Sequence, residues 1–273
     1  MSSPEPVTAD VYRWTGSGLE LLDYCDMTDT AILVADSWLT VDGRTLAIDL
    51  HRERFLATAT ASAPAAAEFW QAAIAAVPRE GEWFPRVEAH SNGRLVFRLR
   101  SAPERTKSLT VISHHGPDER AQPTVKGPDL DAMRRVRAHA QAAGADEAVL
   151  LSSDGYVIEG SYSALLWWRG SILCSPPSDL PRVASVTARS ILALATALGV
   201  ETFEEAVTPA ELDGTEVWAL NALQGPRIVT AWEDGPSMAE LPGRLAMWRT
   251  RLDALARPLP DPSLPEPSLP ESV

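Results

Sequence analysis

Short runs of alternating apolar and polar residues, parted by turn dipeptides, open the pattern of this chain. Residues 32–50, "ILVADSWLTVDGRTLAIDL", read as two strands around Asp42-Gly43, a dipeptide suited to the two left-handed positions of a tight hairpin. The spacing then turns helical through "HRERFLATA" and the Ala-rich "APAAAEFWQAAIAAV". Residues 94–100 and 108–113 alternate again and are expected to complete a first sheet. Two prolines and a glycine break the pattern across residues 114–123, where a linker is expected. Beyond it, residues 129–144 predict a helix with Asp129 at the N-cap, Leu130, Met133 and Val136 on one face, and Gly144 as the stop. Residues 147–151, 156–159, 164–168 and 171–174, joined by Asp154-Gly155 and Arg169-Gly170, predict an antiparallel meander. A capped helix over 185–199, a capping-box pattern at "TPAEL" and a strand at "EVWAL" follow. The fold class is therefore α+β, mixed α/β.

Length refines this into two domains: 273 residues exceed one typical domain, and 45% hydrophobic content fills a sizeable core. The expected division is an amino-terminal α/β domain over 1–115, a linker over 116–123, a second domain over 124–257, and a Pro-rich disordered tail over 258–273 that repeats Pro-Ser-Leu-Pro-Glu. A net charge of −13 argues against nucleic acid and anionic membrane as partners. Cys25 and Cys174 form no metal-binding or redox spacing, which predicts a reducing compartment and no structural metal. The start resembles no signal peptide and no apolar run approaches about 18 residues, so a cytoplasmic location is expected.

Candidate chemistry begins with an imbalance among the cations. Of 24 Lys+Arg residues, only Lys107 and Lys126 are lysines. Arginine stays protonated, whereas a buried lysine can shed its proton and act as an amine nucleophile. No dinucleotide fingerprint, P-loop or HExxH is present, and "GSYSA" (160–164) follows a hairpin strand and ends in Ala, unlike a serine nucleophile elbow. What remains beside Lys126 is Glu159, at the end of an apolar strand, and the start of the 185–199 helix. There Val186 and Thr187 offer free backbone N–H groups to an anion.

In order and spacing, Lys126, "ADEAVLL", "DGYVIEG", "LPRVASVT" and "VWALNALQGPRIVTAW" resemble the class IV aminotransferases, pyridoxal phosphate enzymes of fold type IV. That group includes branched-chain and D-amino acid aminotransferases and 4-amino-4-deoxychorismate lyase. The resemblance implies a small amino-terminal α/β sandwich, a larger carboxyl-terminal pseudo-barrel, pyridoxal 5′-phosphate as cofactor, an amino acid or aminodeoxychorismate as substrate, and a homodimer. It makes Lys126 the catalytic, cofactor-linked lysine and sets Glu159 against the pyridine nitrogen. Arg54 of "HRER", Val186, Thr187, Asn221 and Ala222 would hold the phosphate. Arg94, Arg98 and Arg120, with Arg100 and Arg227, are the arginines available for substrate carboxylates.

Three departures matter, one being that the tyrosine that follows the lysine in branched-chain enzymes is absent. "LPRVASVTA" carries extra residues and Ala188 where the family has arginine, so a different course for the phosphate loop is expected. "DYCDMTDTAILVADSW" lacks the glycines usual before the first hairpin. Three readings stay open: an amino-acid transaminase, an aminodeoxychorismate lyase, or a non-catalytic cofactor-binding or interaction protein derived from this fold.

Overall fold

The structure is a computed structural model that describes residues 9–22 and 30–261. Cys25 and the tail from residue 262 fall outside the described residues. In chain order the first elements are β1 (Ala9–Trp14), β2 (Leu19–Leu21), β3 (Ile32–Ser37), β4 (Thr40–Val41), β5 (Arg44–Thr45), α1 (Ile48–Ser62), α2 (Ala66–Ala76), β6 (Glu82–Trp83), β7 (Arg86–His90) and β8 (Leu95–Arg100). Next come β9 (Ser108–Ser113), α3 (Leu130–Ala142), β10 (Glu147–Leu151), β11 (Val157–Gly160), β12 (Ala164–Arg169), β13 (Ile172–Ser175) and α4 (Val186–Ala197). The last are β14 (Thr202–Glu204), a 3₁₀ turn (Pro209–Leu212), β15 (Glu216–Asn221), β16 (Gly225–Glu233), α5 (Arg244–Asp253) and β17 (Arg257–Pro258).

The β4–β5 hairpin turns through Asp42 (φ 46°) and Gly43 (φ 70°), the two positive angles that the Asp-Gly pair suits. A five-stranded sheet in the order β2-β1-β8-β7-β3 carries α1 and α2, and Trp38, Phe55, Phe69, Trp70, Val87 and Phe97 form its core. The second sheet has eight strands, β11-β10-β9-β16-β15-β12-β13-β14. Its strands β12 and β15 are buried on both faces, so their alternate residues feed different cores: Leu165, Trp167, Val217 and Ala219 on one side, Leu166, Trp168, Trp218 and Leu220 on the other. Helices α4 and α5 cover the latter face, and α3 covers Ala148, Leu150 and Ile158 at the opposite end.

Three expectations change. Strand β9 does not complete the first sheet; it lies between β10 and β16, parallel to both, so the chain crosses to the second sheet over residues 101–107. The expected meander is two antiparallel hairpins, β10–β11 and β12–β13, with β9, β16 and β15 inserted between them. Strand periodicity reports which face a residue takes, not which strand lies beside it. The tail expected from 258 is ordered through Asp261: Arg257–Pro258 pairs with Arg44–Thr45, the Leu259 N–H donates to the Gly43 carbonyl at 2.8 Å, and Leu259 is buried in the amino-terminal core.

Candidate active site

The candidate site lies between the five- and eight-stranded sheets, and its central side chain sits on a loop braced by β3 of the first. The Ala35 N–H on β3 donates to the Lys126 carbonyl at 2.7 Å. Gly127 (φ +136°) permits this contact, since a Cβ there would lie 2.5 Å from Ala35 N. Asp129 occupies the expected N-cap position of α3 but does not cap it. Its carboxylate accepts instead from the N–H groups of Ala121 and Gln122, both at 2.9 Å, and so ties down the turn before Lys126.

The Lys126 side chain enters a cavity shared with His51, Arg54, Arg120, Glu159, Ser161, Val186, Thr187, Asn221 and Ala222. Burial lowers its amine pKa to about 8, helped by Arg54 and Arg86 and opposed by Asp36 and Glu159. A useful fraction is therefore neutral, and nucleophilic, near neutral pH.

Glu159 ends β11 on one side of the cavity. Burial pushes its carboxyl up to about 7, against the opposing pull of Arg120, the Val183 N–H at 3.3 Å, and Lys126. Such a carboxyl gains from a proton-bearing partner in the cavity, which suits a pyridine nitrogen. Arg120, expected on substrate, donates instead to Glu159 and grips Asp118 with Nε and Nη2 at 2.9 and 2.7 Å.

On the other side, Ser185 caps α4 by accepting from the Ala188 N–H at 3.2 Å. The N–H groups of Val186 and Thr187 make no hydrogen bond among the described residues. Asn221 and Ala222 lie in the β15–β16 turn, where Asn221 Oδ1 accepts from the Gln224 N–H at 2.9 Å. Arg54 forks onto Asp36 with Nε at 2.7 Å and Nη2 at 2.8 Å, and its Nη1 donates to the Ala184 carbonyl at 2.8 Å. The altered loop thus spans the site: Val183 touches Glu159 and Ala184 touches Arg54, while Arg182 folds back onto the Pro176 carbonyl at 2.8 Å.

These parts fit pyridoxal 5′-phosphate, with a lysine amine, a carboxyl for the ring nitrogen, and unbonded N–H groups at a helix N-terminus for the phosphate. The Ser161 hydroxyl, buried in the same wall without a hydrogen-bond partner among the described residues, is a further polar atom for a ligand to meet.

A second recess opens from Lys126 toward the first sheet and is lined by Ser37, Phe84, Arg86, Arg100, Arg137, Tyr162 and Arg227. Arg227 is held by Glu147 and by Ser163 Oγ at 3.0 Å, and Arg100 donates to the Phe84 carbonyl at 2.8 Å. Arg98 pairs with Glu88 at 2.8 Å and Arg94 sits in the turn before β8; neither lines the cavities around Lys126. The sequence reading missed Asp36, Arg86 and Arg137, and gave no role to His51, although it opens the "HRER" stretch quoted for Arg54. Asp36 left one trace, an acid among apolar residues of an alternating strand.

Among the described residues no group of His, Cys, Asp and Glu could hold a metal ion, and no helix is long and apolar enough to cross a membrane. Residues 33–232 match the model of the amino-transferase class IV family. A putative branched-chain-amino-acid aminotransferase of Methanocaldococcus jannaschii is 32% identical over 108 residues, which span 39% of this chain and only 37% of that relative. The fold is similar to a branched-chain aminotransferase from Thermoproteus uzoniensis with norvaline (TM-score 0.75, 15% identity, 92% of this chain and 99% of that one). It is likewise similar to the PLP-bound form of a hypothetical aminotransferase from Mycobacterium tuberculosis (TM-score 0.72, 20% identity, 91% and 98%). With its site geometry and the match over residues 33–232 taken together, this chain belongs to the class IV aminotransferase family, the pyridoxal 5′-phosphate-dependent enzymes of fold type IV.

Proposed function

We propose that the chain transfers an amino group between an amino acid and a 2-oxo acid, with Lys126 carrying the cofactor and returning the substrate Cα proton. The observation that carries this reading is the placement of the half-buried Lys126 amine in one cavity with the Glu159 carboxyl and the unbonded N–H groups of Val186 and Thr187. When bound, pyridoxal phosphate withdraws electrons from the substrate Cα. In this reading Glu159 holds a proton at the ring nitrogen, the α4 N-terminus and the Asn221-Ala222 turn anchor the phosphate, and the neutral Lys126 amine moves the Cα proton.

For the substrate, the name of the curated relative makes branched-chain amino acids the first to test. The arginines of the recess beside Lys126 favour a co-substrate with a second carboxylate, since guanidinium forks suit carboxylates. Those arginines would also suit aminodeoxychorismate, which keeps a lyase as the second reading. The family resemblance further implies a homodimer, which sedimentation equilibrium tests.

Single-turnover spectroscopy separates these readings. Branched-chain and acidic amino acids are expected to convert the bound cofactor to its aminated form, and a 2-oxo acid to restore it. Release of pyruvate from aminodeoxychorismate with the cofactor unchanged would replace the transaminase by the lyase. Silence against the whole panel with cofactor bound would leave a binding protein.

A further inference from the structure

Arg54 is the cation expected opposite the cofactor phosphate, yet its charge is met within the protein. Nε and Nη2 grip the two oxygens of Asp36, whose side chain is fully buried, and Nη1 is taken by the Ala184 carbonyl. Burial alone would raise the Asp36 carboxyl, but Arg54 and His51 hold it far below the usual range, so Asp36 and Arg54 form a neutral pair. A phosphate at the α4 N-terminus would then meet N–H dipoles and little net side-chain charge.

His51 stands one turn before Arg54 on α1. Its Nδ1 lies 2.7 Å from Asp36 Oδ1, and it lines both the Lys126 cavity and the adjoining cavity under the β4–β5 hairpin, beside Thr187 and Asn221. The ionised Asp36 can only accept, so Nδ1 carries the proton and Nε2 is left for a ligand. Nε2 makes no hydrogen bond among the described residues. The charged groups facing the ring are Asp36 from β3, Arg54 from α1 and Lys126 from its loop. Burial keeps the imidazole neutral while no anion is present, and Arg54 and Lys126 push the same way against Asp36. A neutral Nε2 lone pair would repel a phosphate dianion; a protonated one donates a charge-assisted bond to it.

We propose that His51 is a direct ligand of the cofactor's phosphate, donating from Nε2 as an imidazolium braced by Asp36, with the proton taken from solvent on binding. This rests on the proposed placement of the phosphate at Val186, Thr187 and Ala222.

The test uses pyridoxine 5′-phosphate, which lacks the aldehyde and cannot link to Lys126, on protein with 15N-labelled histidine rings at pH 8. One ring signal, absent from His51→Gln and close to the Trp38 indole (ring centroids 6.4 Å apart), is expected to move from the neutral to the imidazolium pattern on saturation. His51→Gln is expected to bind pyridoxine 5′-phosphate about ten- to a hundredfold more weakly. Unphosphorylated pyridoxine should bind both proteins alike. A His51 ring that stays neutral in the saturated wild type overturns the proposal, and so does a variant that keeps the full preference for the phosphorylated ligand. The wild-type spectrum alone decides if the variant folds poorly. If the wild type itself shows no preference for the phosphorylated ligand, the placement of the phosphate fails first and this inference with it.

Discussion

Lys126 combines a nucleophile's chemistry with a backbone that holds it still. With its pKa lowered to about 8, roughly a tenth of the amine is neutral at pH 7, against about one part in three thousand for an unperturbed lysine. The rate of cofactor attachment is therefore expected to rise about tenfold per pH unit up to pH 8 and then level off. Stopped-flow absorbance across pH 6–10 checks this; a rise continuing past pH 10 would mean an unperturbed amine. Arg54 makes a second prediction at this scale. Its removal leaves the buried Asp36 carboxylate with the neutral His51 ring but no counter-charge, which costs up to about 3–5 kcal/mol of stability. Arg54→Ala should thus lower the denaturation midpoint of the cofactor-free protein. A change confined to cofactor affinity would show that Arg54 faces the phosphate instead.

At the scale of elements, the loop over 123–129 and the start of α4 present the lysine and the anion site to one cavity. The loop is fixed by the Ala35 N–H bond to the Lys126 carbonyl and by a glycine where no side chain fits. Gly127→Ala would force a methyl within 2.5 Å of the β3 backbone, so the loop must move away. Borohydride trapping is expected to show cofactor attachment slowed about a hundredfold, the scale of loss that an ångström of misplacement brings. Unchanged attachment would mean that the β3 contact does not position Lys126. The β7–β8 pair carries a comparable local device. Burial works to raise the Glu88 carboxyl, but His90, Arg86 and Arg98 outweigh it and hold the pKa at about 2. Because the folded value is depressed, this stabilisation is complete above the ordinary Glu range near pH 4.5 and is lost as pH falls toward 2. Acid titration of wild type against Glu88→Gln should therefore show midpoints that converge in that window.

Across the whole molecule, the segment over residues 244–261 links the eight-stranded sheet to the amino-terminal core. Helix α5 packs through Trp248 on Trp168 and Trp218 of the large sheet, with ring centroids 5.5 and 5.9 Å apart. The next residues return to the first sheet's side, where Leu259 is buried, Arg44 donates to the Ala256 carbonyl at 2.6 Å, and Arg79 donates to the Pro260 carbonyl at 3.0 Å. Leu259→Ala is expected to cost about 2–5 kcal/mol. Chemical denaturation followed by tryptophan fluorescence checks this, and a loss below about 1 kcal/mol would mean that the segment rests on the surface without linking the halves.

The sequence by itself determined what local chemistry determines. Asp42-Gly43 marked its hairpin because few residues tolerate two positive φ angles. Ser185 marked the start of α4, because a hydroxyl there meets an orphan N–H. The family pattern singled out Lys126 and Glu159, and both line the cavity. Partner choice was not written locally. Strand β9 alternates as well as β8 does, yet it joins the other sheet, because periodicity is silent on which strand lies alongside. An arginine in a sequence carries no direction either, and only the folded chain turned Arg120 onto Glu159 and Arg54 onto Asp36 while setting Arg86, Arg100 and Arg137 around the recess. The physical reason is range: caps and turns are settled within a few residues, whereas a buried charge takes its partner from whichever segment the fold brings within hydrogen-bonding distance.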